Sequence, residues 1–244
     1  PMQNHIRLES ETIGINKEWL IELCTRLQHL NTSLDAPLHF NAGLRVTPNM
    51  DFENIFSMLK KSNFKRIDIG LESGSERVRR EVLKRNYSNE DIINAVRIAK
   101  KNGLEVFFFN MIGVPGETLS DFKETIKINR LCLPDSYALN IFYPYPGTDL
   151  YFYSKKRGLL KTSLNTERER TVTVLDSPEF TRKQIYKNYV WFYYNVYKDY
   201  KPMYKILLKI FISKLKLNPF TAYLYRSLTR FTFFKRIKYY LLYR

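Results

Sequence analysis

Two cysteines and three histidines are all that this 244-residue chain offers to a soft metal. Cys24 and Cys132 lie far apart in apolar helical contexts with no C-x-x-C spacing, so a metal centre built from this chain alone is not expected. Both thiols read instead as small buried hydrophobes in a reducing compartment. No uninterrupted apolar run reaches the roughly 18 to 20 residues that a membrane crossing needs, and no signal-peptide pattern is present. The expected location is therefore cytoplasmic. Acidic residues vanish after Asp199. The chain also opens on Pro1 rather than on methionine, which suggests that a preceding portion has been removed.

What is present is ample for one packed core with a smaller appendage: 44% of residues are hydrophobic and 15% aromatic. Forty Lys and Arg against twenty-four Asp and Glu give a formal charge of +16, which draws the protein toward anions. The excess gathers in the acid-free tail, where Lys201, Lys205, Lys209, Lys214, Lys216, Arg226, Arg230, Lys235, Arg236, Lys238 and Arg244 fall. Phosphates, nucleic acid or acidic lipid are the partner classes that such a tail suggests.

Through the first two thirds, short β-rich runs alternate with amphipathic stretches. Strands are expected near residues 6–8, 38–45, 66–71, 105–112 and 137–143, and helices near 17–30, 51–61, 89–102 and 120–131. Ser88 with Asp91, and Thr118 with Asp121, are helix-start signals; Pro48 and Asn49 precede the second helix in the same way, and Gly103 marks a helix end. Strands recurring about every 30 residues are the rhythm of βαβ units, which implies a parallel sheet or barrel. In "RIDIGLES", alternation puts Ile67, Ile69 and Leu71 on one face and Asp68, Gly70 and Glu72 on the other. Barrels place their chemistry where that polar face reaches the C-terminal strand end. A bland alternative makes such an acid merely the cap of the next helix.

After residue 151 the pattern changes. "YSKKRGLLKTSLNTERERTV" reads as an irregular charged connector, and the rest as helical and rich in Tyr, Phe, Lys and Arg. The expected division is thus a core at 1–151 and a basic, aromatic-rich extension at 152–244. Residues 203–217 set apolar side chains at helical spacing with lysines between them. Such a helix either packs on the barrel with its lysines in water, the favoured reading, or lies on an acidic membrane surface.

Five stretches, "RLESETIGINKEWLIELC", "FNAGLRV", "DIGLESGSERVRREVLKRNYS", "NMIGVPGET" and "FYPYPGTDLY", together resemble the radical S-adenosylmethionine superfamily, in particular its group with a cobalamin-binding domain. The resemblance implies an α/β fold: a partial (β/α) TIM-like barrel carrying S-adenosylmethionine at its C-terminal strand ends, followed by the mainly helical region. It assigns Glu9 and Glu11, placed on a strand at i and i+2, to the methionine ammonium. Glu72, with Ser73 beside it, is assigned to the ribose hydroxyls. Arg85, or Lys84 if the alignment slips by one, falls to the methionine carboxylate. Asn110, Met111, Ile112 and Gly113 would present strand-end backbone to the adenine, a close approach that glycine permits. The bland reading of Arg79, Arg80 and Lys84 is a solvated helix face, and Pro144, Pro146 and Gly147 read as structural.

The family's C-x-x-x-C-x-x-C loop is missing from this sequence, so the 4Fe–4S cluster that the resemblance implies is expected to have its ligands upstream. Alone, the chain is expected to be inactive; a degenerate relative that has lost the chemistry is the other explanation. An intact parent would cleave S-adenosylmethionine reductively to a 5′-deoxyadenosyl radical, using a reductant such as flavodoxin or ferredoxin, with cobalamin as a further cofactor if that domain is present. Its substrate would be a small molecule or lipid-linked material, with peripheral membrane contact through the tail. RNA binding or RNA modification by the tail is the competing reading. No recognisable RNA-binding signature supports it.

Overall fold

The computed structural model describes residues 4–10, 12–160, 164 and 169–231. Five strands, β1 (His5–Leu8), β2 (His39–Leu44), β3 (Phe64–Glu72), β4 (Glu105–Ile112) and β5 (Ser136–Ile141), form one sheet in the order β1-β2-β3-β4-β5. Pairing from β1 through β4 is parallel, and each successive strand is reached through a helix. These are α1 (Lys17–Thr32), α2 (Phe52–Lys61), α3 (Asn89–Lys101) and α4 (Leu119–Cys132). The result is the expected α/β architecture, an open half-barrel followed by helices α5 (Asp149–Lys156), α6 (Arg182–Tyr197), α7 (Met203–Leu217) and α8 (Pro219–Leu228).

Local chemistry sets these boundaries. Ser88 and Asp91 exchange side-chain and backbone bonds as a capping box at the start of α3, and Thr118 with Asp121 repeats it before α4. Asp51 caps α2 by accepting from the Asn54 N–H at 3.2 Å, so the helix starts where expected, with Pro48 and Asn49 preceding it. The first four residues of the connector read as irregular, 153–156, form the last turn of α5, which Thr148 caps at its start.

Contacts divide the chain into two compact units. The first holds the described residues of Pro1–Asn110 and Leu131–Ala138; the second holds the described residues of Met111–Arg130 and Leu139–Arg244. In the first, Ile67, Ile69 and Leu71 of β3 are fully buried with Phe40, Phe56 and Phe64. Each such side chain contributes about 1.5 to 3 kcal/mol of burial. In the second, Phe122 lies 5.9 Å from both Phe180 and Phe192, ring centre to ring centre, at the heart of its own core.

Opposite Ile67, Ile69 and Leu71, the alternate residues of β3 face the hollow of the half-barrel, as the alternation requires. Asp68 is buried there and held by Arg66 (Nε to Oδ1, 2.7 Å) and Arg7 (Nη2 to Oδ2, 3.4 Å). Those guanidiniums lie over Phe107 and Phe109, at 5.0 Å and 5.6 Å from the ring centres. Asp68 therefore belongs to a paired structural layer, and Glu72 is the acid left at the strand end.

Candidate functional site

The end of β3 is built to turn a carboxylate back over its own strand. Pairing with β4 slips between Gly70 and Glu72, a bulge, and Glu72 adopts a left-handed backbone with φ 59°. Such a conformation costs a residue with a Cβ about 1 to 2 kcal/mol, the kind of strain that clusters at functional positions. The Ser73 N–H closes the turn onto the Leu71 carbonyl at 2.7 Å. Gly70 makes the fold-back feasible: a Cβ on it would stand 2.8 Å from Glu72 Oε1.

The segment after the strand is a short π-helix, Val78–Val82, closed by the Leu83 N–H on the Val78 carbonyl at 3.0 Å. Lys84 then takes φ 53°, and the Arg85 N–H reaches back to the Arg79 carbonyl at 2.8 Å. This extra residue in the turn aims Arg85 at Glu72, with Nη2 4.0 Å from Oε1, while Lys84 stays exposed. The pair is loose, and each side chain keeps part of its surface in solvent, 28% for Arg85 and 20% for Glu72. Burial pushes the Glu72 carboxyl above its ordinary value, an effect opposed by the charges of Arg85 and Arg45.

Beneath this pair lies a support that sequence reasoning missed. Tyr87 is buried, and its hydroxyl donates toward the carbonyls of Gly70 (2.9 Å) and Leu71 (3.1 Å). Burial, with the nearby Glu72 charge, raises the Tyr87 phenol far above its usual range, so it stays a donor. Arg79 is fully buried rather than on a solvated face: its guanidinium lies 4.9 Å from the Tyr87 ring centre and donates to the Ser73 carbonyl. Nothing in the composition separates Arg79 from Arg77 or Arg80 beside it. Its one sequence signal is the spacing to Ser73 and Tyr87.

The other assigned residues fall as follows. Ser73 is buried, and its hydroxyl accepts from the Ser75 N–H at 3.2 Å, within the turn. Glu9 does not lie on a strand: β1 stops at Leu8, and Glu9 is an exposed loop residue paired with Arg7 at 3.2 Å. Further along, the Ile13 N–H donates to the Gly43 carbonyl at 3.0 Å. Glu11 lies outside the described residues. Asn110 is buried, with Nδ2 donating to the Ala138 carbonyl at 3.3 Å, on the face of β4 opposite Phe109 and Met111.

The second unit carries its own polar turn. Gly113 sits at φ 79°, and its N–H and that of Val114 donate to Glu117 Oε2 at 2.6 Å and 3.2 Å. Glu117, fully buried, thus holds the turn of "GVPGE" from inside. Ile112 is buried and Met111 half-buried.

A loosely paired acid and guanidinium thus stand at the C-terminal end of parallel strands, the end where α/β barrels place their chemistry. More narrowly, the chain belongs to the Radical SAM superfamily, whose pattern it matches over residues 3–128. It is 31% identical over 183 residues to an uncharacterized methyltransferase of Pyrococcus horikoshii, a match spanning 75% of this chain and 38% of that protein. It is 29% identical over 123 residues to the tRNA-2-methylthio-N(6)-dimethylallyladenosine synthase of Deinococcus radiodurans, spanning 50% of this chain and 24% of that one. The fold is shared with coproporphyrinogen III oxidase of Escherichia coli, a radical SAM enzyme, at a TM-score of 0.60 and 17% identity over 79% of this chain and 40% of that chain. It is likewise shared with the radical S-adenosylmethionine methyltransferase TsrM of Kitasatospora setae, solved with cobalamin and a 4Fe–4S cluster (TM-score 0.50, 15% identity, 66% and 30% covered). The matched regions thus span well under half of these relatives.

The residues present fit one of the family's cofactors and not the other. Glu72, folded over Gly70 and only loosely met by Arg85, offers acceptors for a diol and a fork for a carboxylate, the polar groups of S-adenosylmethionine. An iron–sulfur cluster finds no such reception. Cys24 and Cys132 are both buried, with burial pushing the Cys24 thiol up and the Cys132 thiol up to about 12, the reverse of what a thiolate ligand needs. Among the described residues no group of three or more His, Cys, Asp or Glu could hold a metal ion.

Proposed function

We propose that this chain is the S-adenosylmethionine-binding part of a radical SAM enzyme. The observation that carries the reading is the Glu72 carboxylate, held over Gly70 by a left-handed turn with Arg85 4.0 Å away. S-adenosylmethionine supplies the sulfonium carbon chemistry, and the residues described here hold its polar ends. Glu72 accepts from the ribose hydroxyls, and Arg85 grips the methionine carboxylate, with Arg45 adding positive charge. Tyr87 and Arg79 fix the strand end, so neither partner must be ordered when the cofactor arrives. Backbone at 111–113 is assigned to the adenine, by resemblance. Glu11 is assigned to the ammonium on the same ground; Glu9, exposed and paired with Arg7, is not carried forward.

The cluster, the reductant and any cobalamin are assigned to parts of the parent enzyme outside these 244 residues. This chain's share is binding and orientation. Methyl or methylthio transfer, which two of the matched relatives carry in their names, is the reaction class proposed for the whole protein.

Equilibrium dialysis of labelled S-adenosylmethionine against the chain and its Glu72→Ala variant tests the reading. A loss of about tenfold or more is expected, the scale of a charge-assisted hydrogen bond. Equal affinities would overturn it.

A further inference from the structure

Helices α7 and α8 wear their amphipathicity outward. On α7, Ile206 and Ile210 are buried, as an ordinary surface helix requires. Yet its exposed side repeats Tyr204, Leu207 and Phe211, each 56% to 61% in solvent. On α8 the spacing recurs in Phe220, Leu224 and Leu228, at 72%, 44% and 47% exposed, with Tyr223 beside them at 70%. Helical steps of three and four residues thus line an apolar stripe along the solvent side of two successive helices, which a lone soluble surface rarely shows. Lys201, Lys205, Lys214, Lys216 and Arg230 lie in or next to these two helices in sequence, and no acidic residue occurs anywhere after Asp199.

We propose that the exposed faces of α7 and α8 form a docking surface for an anionic lipid bilayer. Leucine and phenylalanine would enter the acyl boundary, tyrosines would sit at the headgroup level, and the basic residues would meet lipid phosphates. Charge complementarity selects this occupant. A second copy of the same acid-free face would bring like charges together. Nucleic acid would use the bases and aromatic rings but leave Leu207 and Leu228 without a role, since aliphatic side chains do not stack on nucleobases. No helix among the described residues is long and apolar enough to cross a membrane, so the contact is peripheral. The surface stands independently of the cofactor reading.

Flotation of the full 244-residue chain with phosphatidylcholine vesicles, with and without about 30% phosphatidylserine, tests the proposal, repeated near 0.5 M salt where charge attraction is screened. Binding is expected only with the anionic vesicles and is weakened by salt. Leu207→Ser with Phe211→Ser, both exposed and therefore harmless to the fold by circular dichroism, lowers partitioning about tenfold or more. Each of Lys201→Gln and Lys214→Gln lowers it about fivefold. Three results overturn the proposal: no flotation of the wild-type chain, flotation untouched by the serine pair, or a salt-sensitive complex with single-stranded RNA in the absence of flotation.

Discussion

The carboxylate of Glu72 lies in the space that a side chain on Gly70 would need, 2.8 Å from where its Cβ would stand. Two residues apart on one strand, they form a single device: an absent side chain gives room, and a left-handed turn drives an acid into it. The first consequence is a separation of binding from stability. Gly70→Ala meets only the far end of a flexible side chain, so the fold should keep its melting temperature while the carboxylate is displaced. S-adenosylmethionine affinity should fall about tenfold or more, the scale of one charge-assisted bond. Calorimetric titration beside thermal unfolding reads both.

Acidity at Glu72 predicts a pH slope. A carboxyl whose folded-state pKa is raised by burial binds extra proton in the folded state between its ordinary and raised values. Its contribution to stability therefore falls as pH rises through that window. Glu72→Gln should be more stable than wild type by about 1 kcal/mol at neutral pH. The difference should vanish in acid, as followed by denaturant unfolding at several pH values.

Tyr87→Phe keeps the ring beneath Arg79 but removes the hydroxyl that reaches the Gly70 and Leu71 carbonyls. Loss of about 1 to 2 kcal/mol in urea unfolding is expected, with weaker cofactor binding because the strand end is no longer pinned.

Glu117 anchors the turn at Gly113 with one buried oxygen serving two backbone N–H groups. Glu117→Ala should cost about 2 to 3 kcal/mol, since both donors lose a charged acceptor. Glu117→Gln, which keeps an oxygen, should recover about half of it in the same unfolding assay.

Much of this architecture was legible beforehand, because strand alternation and capping boxes are local signals. The residues of "RIDIGLES" divide between core and hollow as their alternation requires, and Ser88 with Asp91 starts α3 where expected. What was hidden depends on partners distant in sequence. The bulge that turns Glu72 left-handed comes from register with β4, and the burial of Arg79 depends on the ring of Tyr87. Likewise the strand expected to carry Glu9 stops at Leu8, and Ile13 bonds to the Gly43 carbonyl of the neighbouring strand. That Arg85 rather than Lys84 lies near Glu72 follows the π-turn, which no residue pattern announces.

The sharpest measurement compares the affinities of S-adenosylmethionine and its decarboxylated analogue for the wild-type chain and for Arg85→Met. If Arg85 grips the methionine carboxylate, wild type prefers the intact cofactor by about tenfold or more, and the variant binds the two alike. An undiminished preference in Arg85→Met would contradict the account.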